Sequence, residues 1–196
     1  MPKIQAPTVA LHRELRRQQL IDAAMGLAMA NGADSVTVAA VAAKAGLARS
    51  SIYEYFASSA DLVADLVLEE LDYYTRRLAE AVSGARNPYQ CIEMWITESL
   101  RYVADGRHML VKSLNTINTP DERKEEIVLG HRQMMAPLMN SLTEIGFADV
   151  RGAGALLASV TDAASIRIDA GLDAELEILN AVKFALAGLR ALATHQ

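Results

Sequence analysis

The sequence predicts an all-α protein in which a three-helix head precedes a larger helical body, with about nine helices in total. Hydrophobic residues make up 52% of the chain and aromatic residues only 5%, a composition that favours helices. Alternating runs of Thr, Val, Ile and Tyr, which indicate strands, are absent. Helix start and stop signals recur along the chain and divide it into a head, residues 1–57, and a body, residues 58–196.

The first predicted helix runs from about Val9 to Asn31, where Asn31-Gly32 ends it. Arg13, Arg16 and Arg17 fall at positions i, i+3 and i+4 and therefore share one face near its start. This face could approach a phosphate strand, or it could be a solvated surface. The residues expected to point inward are Leu20, Ala24, Leu27 and Ala28.

The segment Val36 to Phe56 predicts two short helices joined by a tight turn. Thr37 can cap the first helix, which ends at Ala45. Gly46 is expected just beyond that end, because a residue there often takes a positive φ that only Gly adopts without steric cost. The apolar positions of this helix, spaced as a buried stripe, are Val38, Val41, Ala42 and Ala45.

The second short helix, roughly Arg49 to Tyr55, has only Ile52 and then Phe56 to anchor it. Its other side must therefore be exposed. This is the layout of a helix-turn-helix, whose second helix enters the major groove of DNA. The alternative is a small helical pair packed into a larger bundle. The residues predicted to contact DNA are Thr37, Lys44, Arg49, Ser50, Ser51, Tyr53 and Tyr55.

A set of residues in and just after this segment forms a recognisable pattern: Thr37, Ala42, Ala45-Gly46-Leu47, Ile52-Tyr53, Tyr55-Phe56 and Leu62. This pattern resembles that of a known family, the TetR family of bacterial transcriptional regulators. Three positions depart from the family pattern. Ala48 stands where the family usually has a capping Ser, Tyr55 where it often has His, and Ser59 where it usually has a phosphate-binding Lys.

The body begins with a capping box, Ser58 to Asp61, which opens a long helix to about Val82. The next helix starts at Asn87-Pro88 and ends at Asp105-Gly106, and a short one is expected near residues 107–114. A further helix runs from Thr119-Pro120 to Gly146 and should be kinked by Pro137. The last two predicted helices, joined through Gly171-Leu172-Asp173, begin near Val150 and after Asp173.

One stripe of the helix that starts at Pro88 mixes aromatic residues with a carboxylate. A core stripe would not normally bury an unpaired carboxylate, whereas a surface stripe would not normally expose Trp. A partly hydrated effector pocket resolves the conflict. In the alternative, Glu98 pairs with a surface Arg and Trp95 fills the core. The predicted effector-binding residues are Cys91, Trp95, Glu98 and Tyr102, with His131 and Met134 as the opposite wall.

The last two helices are amphipathic and can pack on a copy of themselves as a four-helix bundle. Their apolar stripes could equally form core within one chain, and the family resemblance is what favours dimerisation. The predicted interface residues are Leu157, Val160, Leu179, Val182, Leu186 and Leu189.

Other functional classes find no support in the sequence. The four His are scattered, a single Cys91 excludes a Cys-clustered metal site, and no catalytic motif or cofactor site is present. No apolar run reaches bilayer length and the start lacks a signal peptide's apolar centre, so a cytoplasmic protein with no membrane partner is expected. The net charge of −5 divides into +2 for residues 1–57 and −7 for the rest, as expected for a DNA-binding head on a body that does not bind DNA.

The resemblance implies a homodimeric transcriptional regulator rather than an enzyme. In that family the head binds half of a palindromic double-stranded operator, and the body encloses a small-molecule effector that releases a repressor from DNA. The identity of the effector is unknown. The alternative is a dimeric DNA-binding module without an effector, constitutive or controlled by a protein partner.

Overall fold

A computed structural model describes residues 6–32, 35–106, 108 and 121–193; of these, residues 6–10, 59, 121 and 122 are described by their backbone alone. The secondary-structure elements in this part of the chain are helices, and no strand occurs there, which confirms the all-α prediction. The short helix predicted near residues 107–114 lies outside the described residues, apart from His108. The described helices are α1 Ala6–Asn31, α2 Val38–Ala45, α3 Arg49–Ile52, α4 Ser59–Val82, α5 Pro88–Ala104, α6 Asp121–Ile145, α7 Val150–Asp169 and α8 Ala174–Ala193.

The helix ends follow local signals in the sequence. The Ser58 hydroxyl accepts a hydrogen bond from the Asp61 amide at 3.1 Å, and the Asn87 side chain accepts one from the Gln90 amide at 2.9 Å. Both bonds satisfy backbone donors that the first turn of a helix leaves without partners. Gly171, with φ of 86°, ends α7 and leads into α8. None of the described helices is both long and apolar enough to cross a bilayer.

The chain forms two compact units. The first comprises Met1–Glu70 and Leu110–Ile127. Its core joins α1, α2 and α3 to the first half of α4, so the compact unit extends past residue 57. Its largest fully buried side chains are Leu20, Ile21, Ile52, Phe56, Leu62 and Leu66.

The second unit comprises Leu71–Met109 and Val128–Gln196. Its core is built from α5, α7 and α8 together with the later parts of α4 and α6. Pro137 lies inside α6, where it removes one backbone donor. The fully buried large side chains of this core include Leu78, Ile92, Ile96, Leu100, Leu138 and Leu142.

Candidate functional site

The turn between α2 and α3 has the predicted geometry. The Thr37 side chain accepts a hydrogen bond from the Ala40 amide at 3.1 Å and so caps α2. Gly46 takes φ of 69° and ψ of 31°, the left-handed conformation that suits Gly. The Leu47 amide then donates to the Ala42 carbonyl at 2.9 Å, which closes the end of the helix. The helix-turn-helix therefore follows from a capping Thr and a single Gly.

The predicted recognition helix is shorter than expected. Helix α3 covers Arg49–Ile52, whereas the sequence predicted a helix to Tyr55. Beyond Ile52 the amides of Tyr55 and Phe56 both donate to the Ile52 carbonyl, at 2.9 and 3.0 Å, so the chain continues as a turn. Ala48, at the N-cap, makes no side-chain hydrogen bond to the helix, because it lacks the oxygen that a Ser would supply.

The predicted DNA contacts differ in exposure. Arg49 and Ser50 are exposed, and Tyr53 is 49% exposed, whereas Ser51 and Tyr55 are half-buried. Tyr55 packs against the core of the first unit. Exposed hydroxyl and guanidinium groups can bind phosphate oxygens or base edges. Of the predicted contacts on α3 and the turn after it, Arg49, Ser50 and Tyr53 are therefore the exposed ones.

Thr37 and Lys44 lie at opposite ends of α2. Thr37 is exposed, and its hydroxyl can donate to a phosphate while its oxygen accepts from Ala40. The Lys44 ammonium lies against α1 at Gly26. A Cβ atom added to Gly26 would lie only 2.7 Å from the Lys44 nitrogen. Gly26 thus provides the space in which the Lys44 side chain rests, and the charge of Lys44 sits beside α1.

The stripe predicted to bind an effector is satisfied by partners within its own chain. Trp95 is 5% exposed, and its indole nitrogen donates to the Met134 carbonyl at 3.3 Å. The Glu98 carboxylate accepts a hydrogen bond from the Arg77 guanidinium. The premise of an unpaired carboxylate is therefore wrong, and the alternative, in which Glu98 pairs with an Arg and Trp95 fills the core, describes the structure.

The Arg77 guanidinium bridges two carboxylates, since its other side lies 2.6 Å from Asp105. Burial alone would lower the pKa of Arg77, but the hydrogen bonds to Asp105 and Glu98 outweigh it and raise that pKa above its usual value. The positive charge of Arg77 is therefore permanent. The cluster of Arg77, Glu98 and Asp105 is a structural ion-pair network.

The other predicted effector residues do not line one cavity wall. Tyr102 is buried and stacks on Tyr74. His131 is exposed. Cys91 is half-buried, with its sulfur 3.9 Å from the carbonyl oxygen of Pro137. Met134 meets Trp95 through its backbone carbonyl. A role of these residues in binding an effector stays a prediction.

The predicted dimer residues fall into two groups. Four of the six are buried in the core of their own chain, as the alternative to dimerisation expects: Leu157, Val182, Leu186 and Leu189. Val160 is half-buried and Leu179 is 47% exposed. The heptad stripe is therefore mainly a core stripe, because α5 already covers that side of α8.

A different face of α7 and α8 is exposed and apolar. Leu156 and Phe184 are 59% and 71% exposed, and a groove of about 330 Å³ runs beside them. Gly188 lies in this groove, and a Cβ added to it would meet no atom of its own chain within 4 Å. The groove is lined by Ala153, Leu156, Leu157, Ser159, Val160, Ala163, Phe184, Ala185, Gly188, Leu189 and Leu192.

Metal binding finds no support in the described part of the chain. No group of three or more His, Cys, Asp or Glu side chains there could hold a metal ion. His108 is buried, with its Nε2 2.7 Å from an Asp169 oxygen. This pair offers two groups where a protein metal site needs three or more.

Comparisons with known proteins agree with the helix-turn-helix. Residues 20–66 match the model of bacterial regulatory proteins of the tetR family. No curated protein matches the chain. The fold and the exposed α3 segment define the class, a helix-turn-helix protein with a helical body. The family match lies on the helix-turn-helix, and it confirms the resemblance to the TetR family of transcriptional regulators that the sequence shows there.

Solved structures share the fold at low sequence identity. The transcriptional regulator FadR from Bacillus subtilis, in complex with stearoyl-CoA, has a TM-score of 0.71 and 22% identity over 87% of this chain and 98% of its own. A TetR-like transcriptional regulator from Rhodococcus sp. RHA1 has a TM-score of 0.68 and 20% identity over 89% of this chain and 96% of its own. The superantigen PfiT has a TM-score of 0.74 and 20% identity over 88% of this chain and 94% of its own. Such likenesses show the fold, and the helix-turn-helix supplies the link to DNA.

Proposed function

We propose that the protein acts as a homodimer that binds a palindromic operator and represses transcription by occupying it. The observation that carries the proposal is the helix-turn-helix, in which Ile52 anchors α3 while Arg49, Ser50 and Tyr53 face outward. In such motifs the second helix reads the major groove. The positive net charge of residues 1–57 supports this role. A DNA-binding regulator acts where the chromosome lies, so we assign the protein to the cytoplasm.

The apolar face of α7 and α8 supports the dimer. Large apolar side chains exposed together are unusual on a monomer and mark an interaction surface. Gly188 leaves open space between Phe184 and Leu192, into which a second helix can approach closely. A two-fold dimer uses the same patch on both copies, so one self-complementary face is sufficient. The second copy is therefore the proposed occupant of the groove.

The test is selection of DNA by the purified protein from a random pool. Two heads related by a two-fold axis should select a palindrome whose half-sites lie about one helical turn apart, or a multiple of it. Arg49→Gln should relax the preference at one base position per half-site, with a loss of about 1–3 kcal/mol. Arg132→Gln, an exposed change in α6, is the matched control. Selection of no motif, or of an asymmetric one, would contradict the proposal.

We further infer that a small molecule releases the protein from DNA. The support comes from the related fold of FadR from Bacillus subtilis, which was solved with stearoyl-CoA. Stearoyl-CoA and shorter acyl-CoAs are therefore the first probes to add to the complex with selected DNA. Release of the DNA, together with a raised Tm of the free protein, would support effector control.

The second candidate is a dimeric DNA-binding module without an effector. It is favoured by the closure of the Trp95 stripe, where the indole and Glu98 both have partners in their own chain. Such a module would keep its DNA in the presence of every acyl-CoA, with an unchanged Tm. Its DNA binding would be constitutive or controlled by a protein partner. The same two measurements therefore separate the two candidates.

A further inference from the structure

Two arginines of α1 hold the segment that follows α3. Arg13 and Arg17 lie four residues apart and therefore share a face of α1. The Nη2 atom of Arg13 donates to the backbone carbonyl of Glu54 at 3.1 Å. The guanidinium carbon of Arg17 lies 5.9 Å from the centroid of the Phe56 ring, within the range of a cation–π interaction. Both side chains thus contact the turn that carries Tyr53 and Tyr55.

Arg17 is itself fixed by a buried carboxylate. Its Nη2 atom lies 2.6 Å from Oδ2 of Asp65, a residue of α4 that is only 5% exposed. Arg123, near the start of α6, donates to the other oxygen of the same carboxylate. A buried carboxylate needs a positive partner, and here the guanidiniums of Arg17 and Arg123 both supply one. The position of the Arg17 side chain is therefore set by α4 and α6.

The segment after α3 needs such contacts to keep its position. Helix α3 has four residues and no side-chain cap, and a helix this short does not form on its own. Ile52 is its one buried side chain, which leaves the turn from Tyr53 to Tyr55 to be placed by its neighbours. Arg13 contacts this turn at the Glu54 carbonyl, and Arg17 contacts the ring of Phe56 directly after it.

We propose that Arg13 and Arg17 are positioning residues for DNA binding, which hold the recognition segment in place rather than neutralise phosphates. The proposal rests on the function proposed above. Two physical consequences distinguish the roles. Loss of a phosphate contact lowers both the affinity and its dependence on salt, by roughly one unit of slope per contact. Loss of a positioning contact lowers the affinity and leaves the slope unchanged.

The test compares Arg13→Gln with Arg16→Gln on the duplex that the wild-type protein selects. Arg16 is the matched control, because it carries the same charge on the same helix and bonds only locally, to Gln19 at 3.1 Å. Arg13→Gln should weaken binding about tenfold, the effect of one charge-assisted hydrogen bond, with an unchanged salt slope. A slope lower by about one would overturn the proposal, as would an affinity equal to that of Arg16→Gln.

Hydrogen exchange provides a readout that does not depend on DNA. The amides of Tyr55 and Phe56 should exchange about tenfold faster in Arg13→Gln than in Arg16→Gln, while the amides of α2 keep their wild-type rates. Arg17→Gln should give the same local pattern, with Asp65 still paired to Arg123. Unchanged exchange in both variants would overturn the proposal. A wild-type protein that selects no duplex would contradict the proposed function instead, and the exchange rates would still decide whether Arg13 holds the segment.

Discussion

The rings of Tyr74 and Tyr102 stack with their centroids 4.1 Å apart and their planes 15° from parallel. This stack joins α4 to α5 inside the second unit and lies beside the ion-pair network of Arg77, Glu98 and Asp105. Burial raises the pKa of Tyr74 to about 12, although a hydrogen bond with Ser99 acts in the opposite direction. The hydroxyl is thus held in its protonated form.

The raised pKa of Tyr74 predicts that the protein loses stability at alkaline pH. Unfolding returns the pKa of Tyr74 from about 12 to 10.0, so the unfolded chain releases the proton first as the pH rises. The stabilisation is complete below pH 10.0 and is lost as the pH rises towards 12. In that window this group lowers the free energy of unfolding by up to about 1.4 kcal/mol per pH unit. Urea unfolding between pH 9 and 11.5 measures it.

Tyr74→Phe is the control for this prediction. The variant should be less stable than wild type by about 1 kcal/mol at pH 8, because it loses the hydrogen bond with Ser99. Its free energy of unfolding should then fall less steeply above pH 10. Equal slopes for the two proteins would mean that the Tyr74 hydroxyl is not protected in the folded state.

Glu98→Gln should destabilise the body. The side chain of Glu98 is 15% exposed and is paired with Arg77, so the substitution weakens a partly buried, charge-assisted bond at a cost of about 1–2 kcal/mol. The side chain of Asp105, the other partner of Arg77, is 51% exposed. Asp105→Asn should therefore lower the free energy of unfolding by less than about 1 kcal/mol. Urea unfolding at pH 7 compares the two. A Glu98→Gln variant as stable as wild type would contradict this expectation and would favour a role of Glu98 in binding a ligand.

Phe184→Glu should convert the proposed dimer into monomers without unfolding them. Phe184 is 71% exposed in its own chain, so a charge there disturbs only a partner, and the dimer should weaken by about 2 kcal/mol or more. Sedimentation velocity and circular dichroism together test this expectation. Leu186→Glu, two residues away but 8% exposed, should instead unfold the chain, because it buries a charge. A Phe184→Glu protein that remains a tight dimer would place the interface elsewhere.

Ser59→Lys should strengthen DNA binding and steepen its salt dependence by roughly one unit, since it restores a positive charge where the TetR family usually has a phosphate-binding Lys. Ala79→Lys, an exposed change later in α4, adds the same charge within the second unit and serves as the control. Titrations of the selected duplex at several salt concentrations provide both quantities. If the two variants behave alike, position 59 has no phosphate role in this protein.

The head could be predicted largely from the sequence because its determinants are local. Thr37 caps a helix one residue later, and Gly46 ends the same helix, so neighbouring residues decide both events. The end of α3 was missed because the turn after Ile52 depends on contacts from α1. The partner of Arg13 lies 41 residues away in the chain, and no spacing rule indicates such a pair.

The body shows the limit of helical periodicity. Heptad spacing identified Val182 and Leu186 as one apolar stripe, and the structure shows that this stripe is buried, but periodicity cannot say which surface covers it. The exposed face carries Phe184 and Leu192, which lie outside that heptad stripe. Glu98 was likewise recognised as unusual, while its partner on α4 lay beyond the reach of sequence spacing.

Two side-chain contacts of α5 have a consequence for how α5 and α6 are aligned along their axes. Two polar atoms of α5, the Trp95 indole nitrogen and the Cys91 sulfur, reach backbone carbonyls of α6 at Met134 and at Pro137 itself. Sliding by one helical turn, about 5.4 Å, would take both atoms away from these carbonyls. The two contacts therefore fix the axial position of one helix against the other.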